Sequence, residues 1–421
     1  MLQVDSPVPH KIYAEVVDQE TLRQFEECLR MDGCIQGALM PDTHLGYVAP
    51  IGSVLKFTNQ ISPALVGYDI GCGMCAAKLN ITKHDINLTT LKDAIITTIP
   101  LGSSKHKKSQ QYKPTKGTDI AHKAFIDVGQ FQIGTLGGGN HFIEIGEGND
   151  GYLWIVIHSG SRGYGYKIAE HYMKEAALAS IDEQCYIDEF NNNPKNIPFK
   201  ANNPIKYEEA CKEFVYKRTR ARLATSFEGT YSLQLGSQSG QDYLKDMNSA
   251  LDFALANRET MINRIILNIQ QQLNVPPTII EFINRNHNHA EVYNSSTQGT
   301  YVSEVKEVIH RKGATHAENG MMGVIPGNMR DGSFIVRGKG NSDSMSSSSH
   351  GAGRVLSRRQ AKEQIDLEDF HKQMEGIVTN HTDATKDEAP AAYKSIFEVM
   401  ELQQELVEVV DHITPLLNIK G

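Results

Sequence analysis

Glycine-framed segments along the chain present residues able to hold a metal. In VGYDIGCGM, Asp69 and Cys72 stand three apart with Gly71 and Gly73 flanking the cysteine, so a carboxylate and a thiolate can point at one place. A hard and a soft donor together suit a divalent transition metal. In GTLGGGNHFIEI, three glycines precede Asn140, His141 and Glu144. An extended chain puts Asn140, Phe142 and Glu144 on one face and His141 on the other, unless the glycines bend it. The apolar run YLWIVI ends in His158, followed at once by SGSRG with Arg162. Strand ends before glycine turns are where α/β sites collect ligands, although a lone histidine there is more often a satisfied core residue. IIEFINRNHNHAEVY adds His287 and His289, two apart and so on one face of a strand; both bind, or only one does. Asp42 and His44 in MPDTHLG either reach a common site or are a turn residue and a surface imidazole. Cys72 and Cys75 form a CxxC, readable as a redox pair, half of a zinc site or buried structural cysteines. With no second CxxC, a four-cysteine zinc site is excluded.

One more histidine, His350, lies in VRGKGNSDSMSSSSHGAGRVLSRRQAK. Gly338, Gly340, Gly351 and Gly353 let a ligand approach the backbone, the serines offer hydroxyls to phosphate oxygens, and Lys339, Arg354, Arg358 and Arg359 add positive charge. Past Arg354 the chain turns helical in character, so a phosphate held by N–H groups near a helix start is the chemical picture. The run is not a GxxxxGK[ST] loop, and by composition alone it also reads as a flexible linker.

Asp69, Cys72, His141, His158 and His287 can build one metal site, or two sharing the Cys72 thiolate. Such donors suit Mn, Zn, Fe or Co without choosing among them. Two adjacent metals clamp the attacking and leaving oxygens of a phosphoryl transfer. Glu144, when ionised, accepts only, and would read a donor edge such as that of guanine. His350, not needed as a ligand, is free to act as a nucleophile on phosphorus. On residue types and spacing, a metal-dependent phosphoesterase is the first reading and nucleotidyl transfer through a histidine the second.

The elements that must position these groups are legible in outline. The chain of 421 residues is 40% hydrophobic and 22% charged, an ordinary globular composition. Its net charge of −8 argues against bulk nucleic-acid binding but leaves room for a local basic groove, and KHKKSQQYKPTKG (105–117) is the most basic segment, a loop for a polyanion or a solvated loop. Six thinly spread cysteines, no apolar run of membrane-spanning length and no secretory pattern at the N-terminus predict a cytoplasmic protein. Apolar spacing predicts a helix over about Thr21–Met31 capped by Asp18, a strand at Val54–Phe57, a polar helical stretch over 80–130 and helices from about 165 to 275. That last stretch contains YKRTRAR (216–222), a basic face for nucleic acid or, more simply, for solvent. Strands are predicted at Val302–Arg311 and Gly323–Val336, with the turn PGNMRDGS breaking the latter, and the last sixty residues read as helical with a frayed terminal Lys420. The expected architecture is a single α/β domain, mixed sheets with surrounding helices, carrying a helical excursion.

The motifs MPDTHLG, VGYDIGCGM, GTLGGGNHFIEI, HSGSRG, NHNHAEV, IPGNM, SFIVRGKGN, SSHGAGRVLSR, AYK and a terminal KG, in that order, resemble those of the RtcB-type RNA ligases, the tRNA-splicing ligases. The resemblance runs from about Met40 to Gly421. It implies a GTP-dependent RNA ligase using two Mn2+ ions, which joins RNA 3′-phosphate or 2′,3′-cyclic phosphate ends to 5′-hydroxyl ends, in tRNA splicing or RNA repair. By the resemblance, Asp69 and Cys72 are metal ligands with Cys72 bridging, and His141, His158 and His287 complete the two sites. His350 is the guanylylated nucleophile. GMP is held by Asn140, His141, Phe142, Ile143, Glu144, His287, Asn288, Pro326, Gly327, Asn328, Met329, Ser333, Gly351, Ala352, Gly353 and Lys420, with Tyr393 packing beside it and Arg354 on RNA phosphate. Lys420 would then fold back into the site instead of fraying.

Four departures stand out: SSSSHGAGR where the family commonly has CSCSHGAGR, PGNM for PGSM, GGGNHF for GTGNHF, and NHNHA for HHNYV. They bear on substrate range and rate more than on chemistry, and point to a divergent branch, an RNA-repair paralogue. A cyclic phosphodiesterase and a non-catalytic RNA-end-binding protein are the alternatives.

Overall fold

The structure is a computed structural model that describes residues 2–225, 227–273, 275–294 and 305–421. The first part of the predicted strand Val302–Arg311 falls outside them. The described residues form an α/β protein of mixed sheets with helices around them.

Asp18 accepts the Thr21 N–H at 2.8 Å and starts the helix Gln19–Leu29, as its position before an apolar-periodic run predicts. Phe25, Cys28 and Leu29 of that helix pack on Leu39, Leu55 and Phe57. These three belong to a five-stranded sheet ordered His10–Ile12, Cys34–His44, Ile51–Thr58, Lys306–Lys312, Asn288–Asn294.

A larger sheet is ordered Met322–Pro326, Ser333–Gly338, Val407–Lys420, Phe142–Glu147, Tyr152–Ser159, Gly73–Thr82, Ile279–Asn286. Its ends approach each other, and Arg285 Nε donates to the Met322 carbonyl at 3.3 Å. The run LWIVI is apolar throughout because both of its faces are covered. Leu153, Ile155 and Ile157 meet Met261, Ile262, Ile265 and Ile269 of the helix Gln238–Leu273, while Trp154 and Val156 pack against Ile335 and Ile413. Each such side chain contributes about 1.5–3 kcal/mol by leaving water. Between the third and fourth of these sheet strands in sequence, the chain runs through the helices Arg162–Ala179, Glu183–Asn191, Ile197–Asn202 and Pro204–Thr225 before the 36-residue helix. Among the described residues no helix is long and apolar enough to cross a membrane.

Three expectations need correcting. Within 80–130 only Leu88–Thr98 and Asp119–Asp127 are α-helical; the chain from Lys105 to Gly117 is irregular. The last sixty residues do not end in a helix: Ile396–Leu402 is short, and Val407–Lys420 is a strand. Asp411, Ile413, Pro415, Leu417 and Ile419 are buried at every second position, a period that a helix cannot satisfy. The serines before His350 do not face a ligand as a group, since Ser347–Ser349 is a buried strand paired with Ala314–His316.

Candidate metal and nucleotide site

Antiparallel pairing gathers residues far apart in sequence. Met74 and Phe142 both pair with His158, and Gly73 pairs with Asn286. Cys72, His158 and His287 thereby meet at one end of three adjacent strands, and His141 arrives at the start of the fourth. The Cys72 sulfur lies 3.4 Å from His141 Nε2 and 3.2 Å from His158 Nε2. His141 Nε2 is 3.0 Å from Asp69 Oδ2, and His158 Nε2 is 3.2 Å from His287 Nε2. Cys72 thus stands between an Asp69–His141 side and a His158–His287 side. Asp69 comes close because residue 160 is glycine: a Cβ there would sit 2.2 Å from Asp69 Oδ1.

The donor chemistry fits metal ions. His141 Nδ1 donates to the Leu136 carbonyl at 3.0 Å and His158 Nδ1 to the Asn140 carbonyl at 3.1 Å, so the neutral form of each ring turns its Nε2 lone pair to the cluster. Burial, and then the charges of neighbouring histidines, push His158 and His287 well below the ordinary imidazole range, toward the neutral form that binds metal. Burial would raise Asp69, but the His141 hydrogen bond and charge hold it at about 2, ionised. Burial and the Asp69 charge push the Cys72 thiol up; a cation beside it would reverse that.

His350 lies against this cluster, its ring 4.7 Å from that of His287 and steeply inclined to it. Its Nδ1 donates to Asp42 Oδ2 at 2.6 Å, and the same oxygen accepts the N–H groups of His350 at 3.1 Å and Gly351 at 3.2 Å. Asp42 is fully buried; desolvation opposes its charge, but His350 holds its carboxyl below the usual range. In the neutral ring this arrangement puts the lone pair on His350 Nε2. Gly353 (φ +76°) makes the approach possible, because a Cβ there would sit 2.1 Å from the Asp42 carbonyl oxygen.

A second set of buried polar groups adjoins. The register of the C-terminal strand sets Asn418 opposite Glu144 and Lys420 opposite Phe142. Lys420 Nζ lies 5.0 Å from the Phe142 ring and 3.1 Å from Glu388 Oε2. Glu144 Oε1, Ser333 Oγ and Asn418 Oδ1 are buried with no hydrogen-bond partner among the described residues. Burial pushes Glu144 up to about 8. Buried polar atoms of this kind are uncommon, and a ligand that pairs with them is the simplest explanation.

The family model for the tRNA-splicing ligase RtcB matches residues 24–125 and 111–421. The RNA-splicing ligase RtcB of Escherichia coli K12 is 34% identical over 410 residues, covering 91% of this chain and 90% of that protein. The tRNA-splicing ligase RtcB of Thermococcus kodakarensis is 26% identical over 498 residues, covering 98% and 95%.

This chain belongs to the RtcB family.

Against the residues expected for an RtcB protein, the structure brings Asp69, Cys72, His141, His158, His287 and His350 together. It separates His287 from His289: the strand breaks at His287, and His289 turns to Arg311 and His316 instead. Cys75 points away into the apolar core, so the CxxC is not a working pair. Ile143 is likewise a core side chain, leaving only its backbone for a ligand. Asn288 bridges the Asp69 carbonyl and the Gly313 N–H. Pro326 ends a strand beside Gly351, and Gly327 closes a turn on Gly332. The Asn328 amide donates to Asp331 within that turn, so it is engaged locally. Met329 and Ala352 are buried apolar packing. Arg354 lies over the Tyr393 ring and is held by Glu388, the Asp387 carbonyl and the Leu356 carbonyl.

Sequence reasoning missed three residues. Glu388 gathers Lys420, Arg354, Arg358 and Tyr393; burial would raise it, yet these neighbours, Lys420 first among them, hold it at about 2. Asn257 pairs with the Gly134 and Thr135 N–H groups and the Thr135 and Gly160 carbonyls. Arg258 donates to the Gly71 and Ser159 carbonyls, each at 2.8 Å, and to Asn284 and Asn286. The adjacent Asn257 and Arg258 in the helix Gln238–Leu273 therefore hold the segments that carry the candidate ligands Asp69, Cys72, His141, His158 and His287. The only signal was a polar pair inside an otherwise amphipathic run.

Proposed function

We propose that the protein is a GTP-dependent RNA ligase that joins RNA 3′-phosphate or 2′,3′-cyclic phosphate ends to 5′-hydroxyl ends through a histidine–GMP intermediate on His350. The observation that carries this reading is the Asp42–His350 pair seated against the Asp69–Cys72–His141–His158–His287 cluster. Family membership supports the ligase class.

In this reading Asp69, Cys72 and His141 hold one Mn2+ ion, and Cys72, His158 and His287 the other. Bound there, the ions supply charge neutralisation for the phosphates. Asp42 keeps the proton on His350 Nδ1, so Nε2 attacks the α-phosphorus of GTP as the bond to pyrophosphate breaks. A 2′,3′-cyclic phosphate is first opened by water, which breaks the P–O2′ bond to give the 3′-phosphate. An oxygen of the RNA 3′-phosphate then attacks the GMP phosphorus as its bond to Nε2 breaks, and the 5′-hydroxyl displaces GMP to close the phosphodiester. Burial by itself favours the protonated form of Glu144; on accepting from the guanine N1–H and amino group it is ionised, with Ser333 beside it. Lys420 and Arg354 exchange Glu388 for phosphate oxygens. Tyr393 and the backbone of Asn140–Glu144, Pro326–Met329 and Gly351–Gly353 line the nucleotide.

The test is incubation with Mn2+ and α-labelled GTP followed by a denaturing gel. The expected result is an acid-labile labelled band, absent in His350→Ala. Failure to label under any nucleotide or metal, with the protein folded, would overturn the reading.

A further inference from the structure

The segment from Lys105 to Gly117 carries five lysines and no acidic residue in a chain of net charge −8. It is not a free loop. His106 donates its N–H to the Phe131 carbonyl at 2.9 Å, and its Nε2 accepts from Arg264 Nη1 at 2.9 Å. Gln110 donates its N–H to the Gln130 carbonyl and accepts from Arg264 Nη2 at 3.0 Å. Tyr112 packs its ring edge-on to Phe253, 5.4 Å between centroids. Intermediate and buried positions thus anchor the segment, while Lys105, Lys107, Lys108 and Lys113 are exposed and make no ion pair among the described residues. Lys116 faces Asp252 at 3.8 Å.

The anchors tie this segment to the glycine run that carries His141. Arg264 Nη1 also donates to the Gly134 carbonyl at 2.6 Å, and Gly102 donates to the Gly137 carbonyl at 2.9 Å. Gly137 lies so close to the site that a Cβ on it would be 2.6 Å from His141 Nδ1. Lys108 is six residues beyond Gly102, so its backbone is within about 20 Å of that glycine at full extension. Four exposed cations, held out from a segment pinned to the glycine run that leads to His141, match a chain of phosphates leading to a reacting end.

We infer that the exposed lysines of 105–113 form a track for the phosphates of single-stranded RNA next to the end being joined. This rests on the ligase reading, and its test is separable from it. A labelled single-stranded RNA with a 3′-phosphate is titrated into the full chain by fluorescence anisotropy at several salt concentrations. Formation of the GMP adduct is measured in parallel without RNA. For Lys107→Gln/Lys108→Gln we expect about tenfold weaker RNA binding at moderate salt, a log–log salt slope reduced by about 1–2, and unchanged adduct formation. Lys195→Gln/Lys206→Gln, which removes two exposed lysines from the helical region, controls for net charge. Equal weakening in both variants, an unchanged salt slope in the first, or loss of adduct in the first alone would each overturn the inference. Failure of the unaltered chain to form adduct would count against the ligase reading and leave the binding comparison intact.

Discussion

Replacing Arg258 by methionine removes the guanidinium that joins the turn after Asp69 to the strands ending in His158 and leading to His287, and leaves most of the side-chain volume. Four hydrogen bonds disappear: two to the Gly71 and Ser159 carbonyls and two to Asn284 and Asn286. The asparagines can turn to other partners, but the two carbonyls stay buried and unpaired at about 1–3 kcal/mol each. Arg258 is fully buried, and burial lowers its own pKa to about 10, so relief from holding a cation out of water offsets part of that loss. The net expectation is about 2–4 kcal/mol of destabilisation. Since the guanidinium holds the segments that carry the proposed ligands and is not itself one of them, metal affinity should fall about 10–100-fold. Urea unfolding gives the first number. The second comes from titration with Co2+, followed by thiolate-to-cobalt absorption at a temperature where both proteins are folded, so no turnover is needed. An unfolding midpoint and a Co2+ affinity that both match the unaltered protein would refute the idea that this helix positions the metal centre.

Asp42→Asn should leave the protein folded but slow adduct formation by about 100-fold or more, because an amide can donate to Nδ1 and shift the proton to Nε2; a single-turnover rate within fivefold of the parent would contradict this. Glu144 is raised in the fold, from 4.5 to about 8, so between these values the unfolded chain releases a proton that the folded chain keeps. Its stabilising contribution is complete below 4.5 and is lost as pH rises to 8, about 1.4 kcal/mol per pH unit, and Glu144→Gln should flatten that slope in urea midpoints taken from pH 5 to 8. Gly353→Ala forces the backbone off Asp42 and should cost about 2–4 kcal/mol together with adduct formation; a crystal structure with Asp42 unmoved and full labelling would count against it.

That Asp69, Cys72, His141, His158, His287 and His350 could meet was legible because five of them sit beside glycine turns and His287 closes a strand-like run, and their residue types are rare in such company. The helix Gln19–Leu29 and the strand Tyr152–Ser159 were legible for a related reason: period and cap are local properties of the chain. What the chain could not express locally was direction. His287 and His289 share a spacing that promises a common face, yet one strand ends and another begins between them, so they serve different neighbours. The serines before His350 look like phosphate donors until pairing with Ala314–His316 buries them. The fourteen residues of the closing strand read as helix because their burial depends on partners distant in the chain, Ser333–Gly338 for the first half and Phe142–Glu147 for the second. Arg258 and Glu388 carry no motif; their roles exist only where several segments converge on one buried charge. The sequence alone determined which groups are available for chemistry, since that is a matter of residue type and local geometry. The tertiary structure alone decided which of them meet, and which buried ions hold them there, because strand register and desolvation are set by contacts distant in the chain.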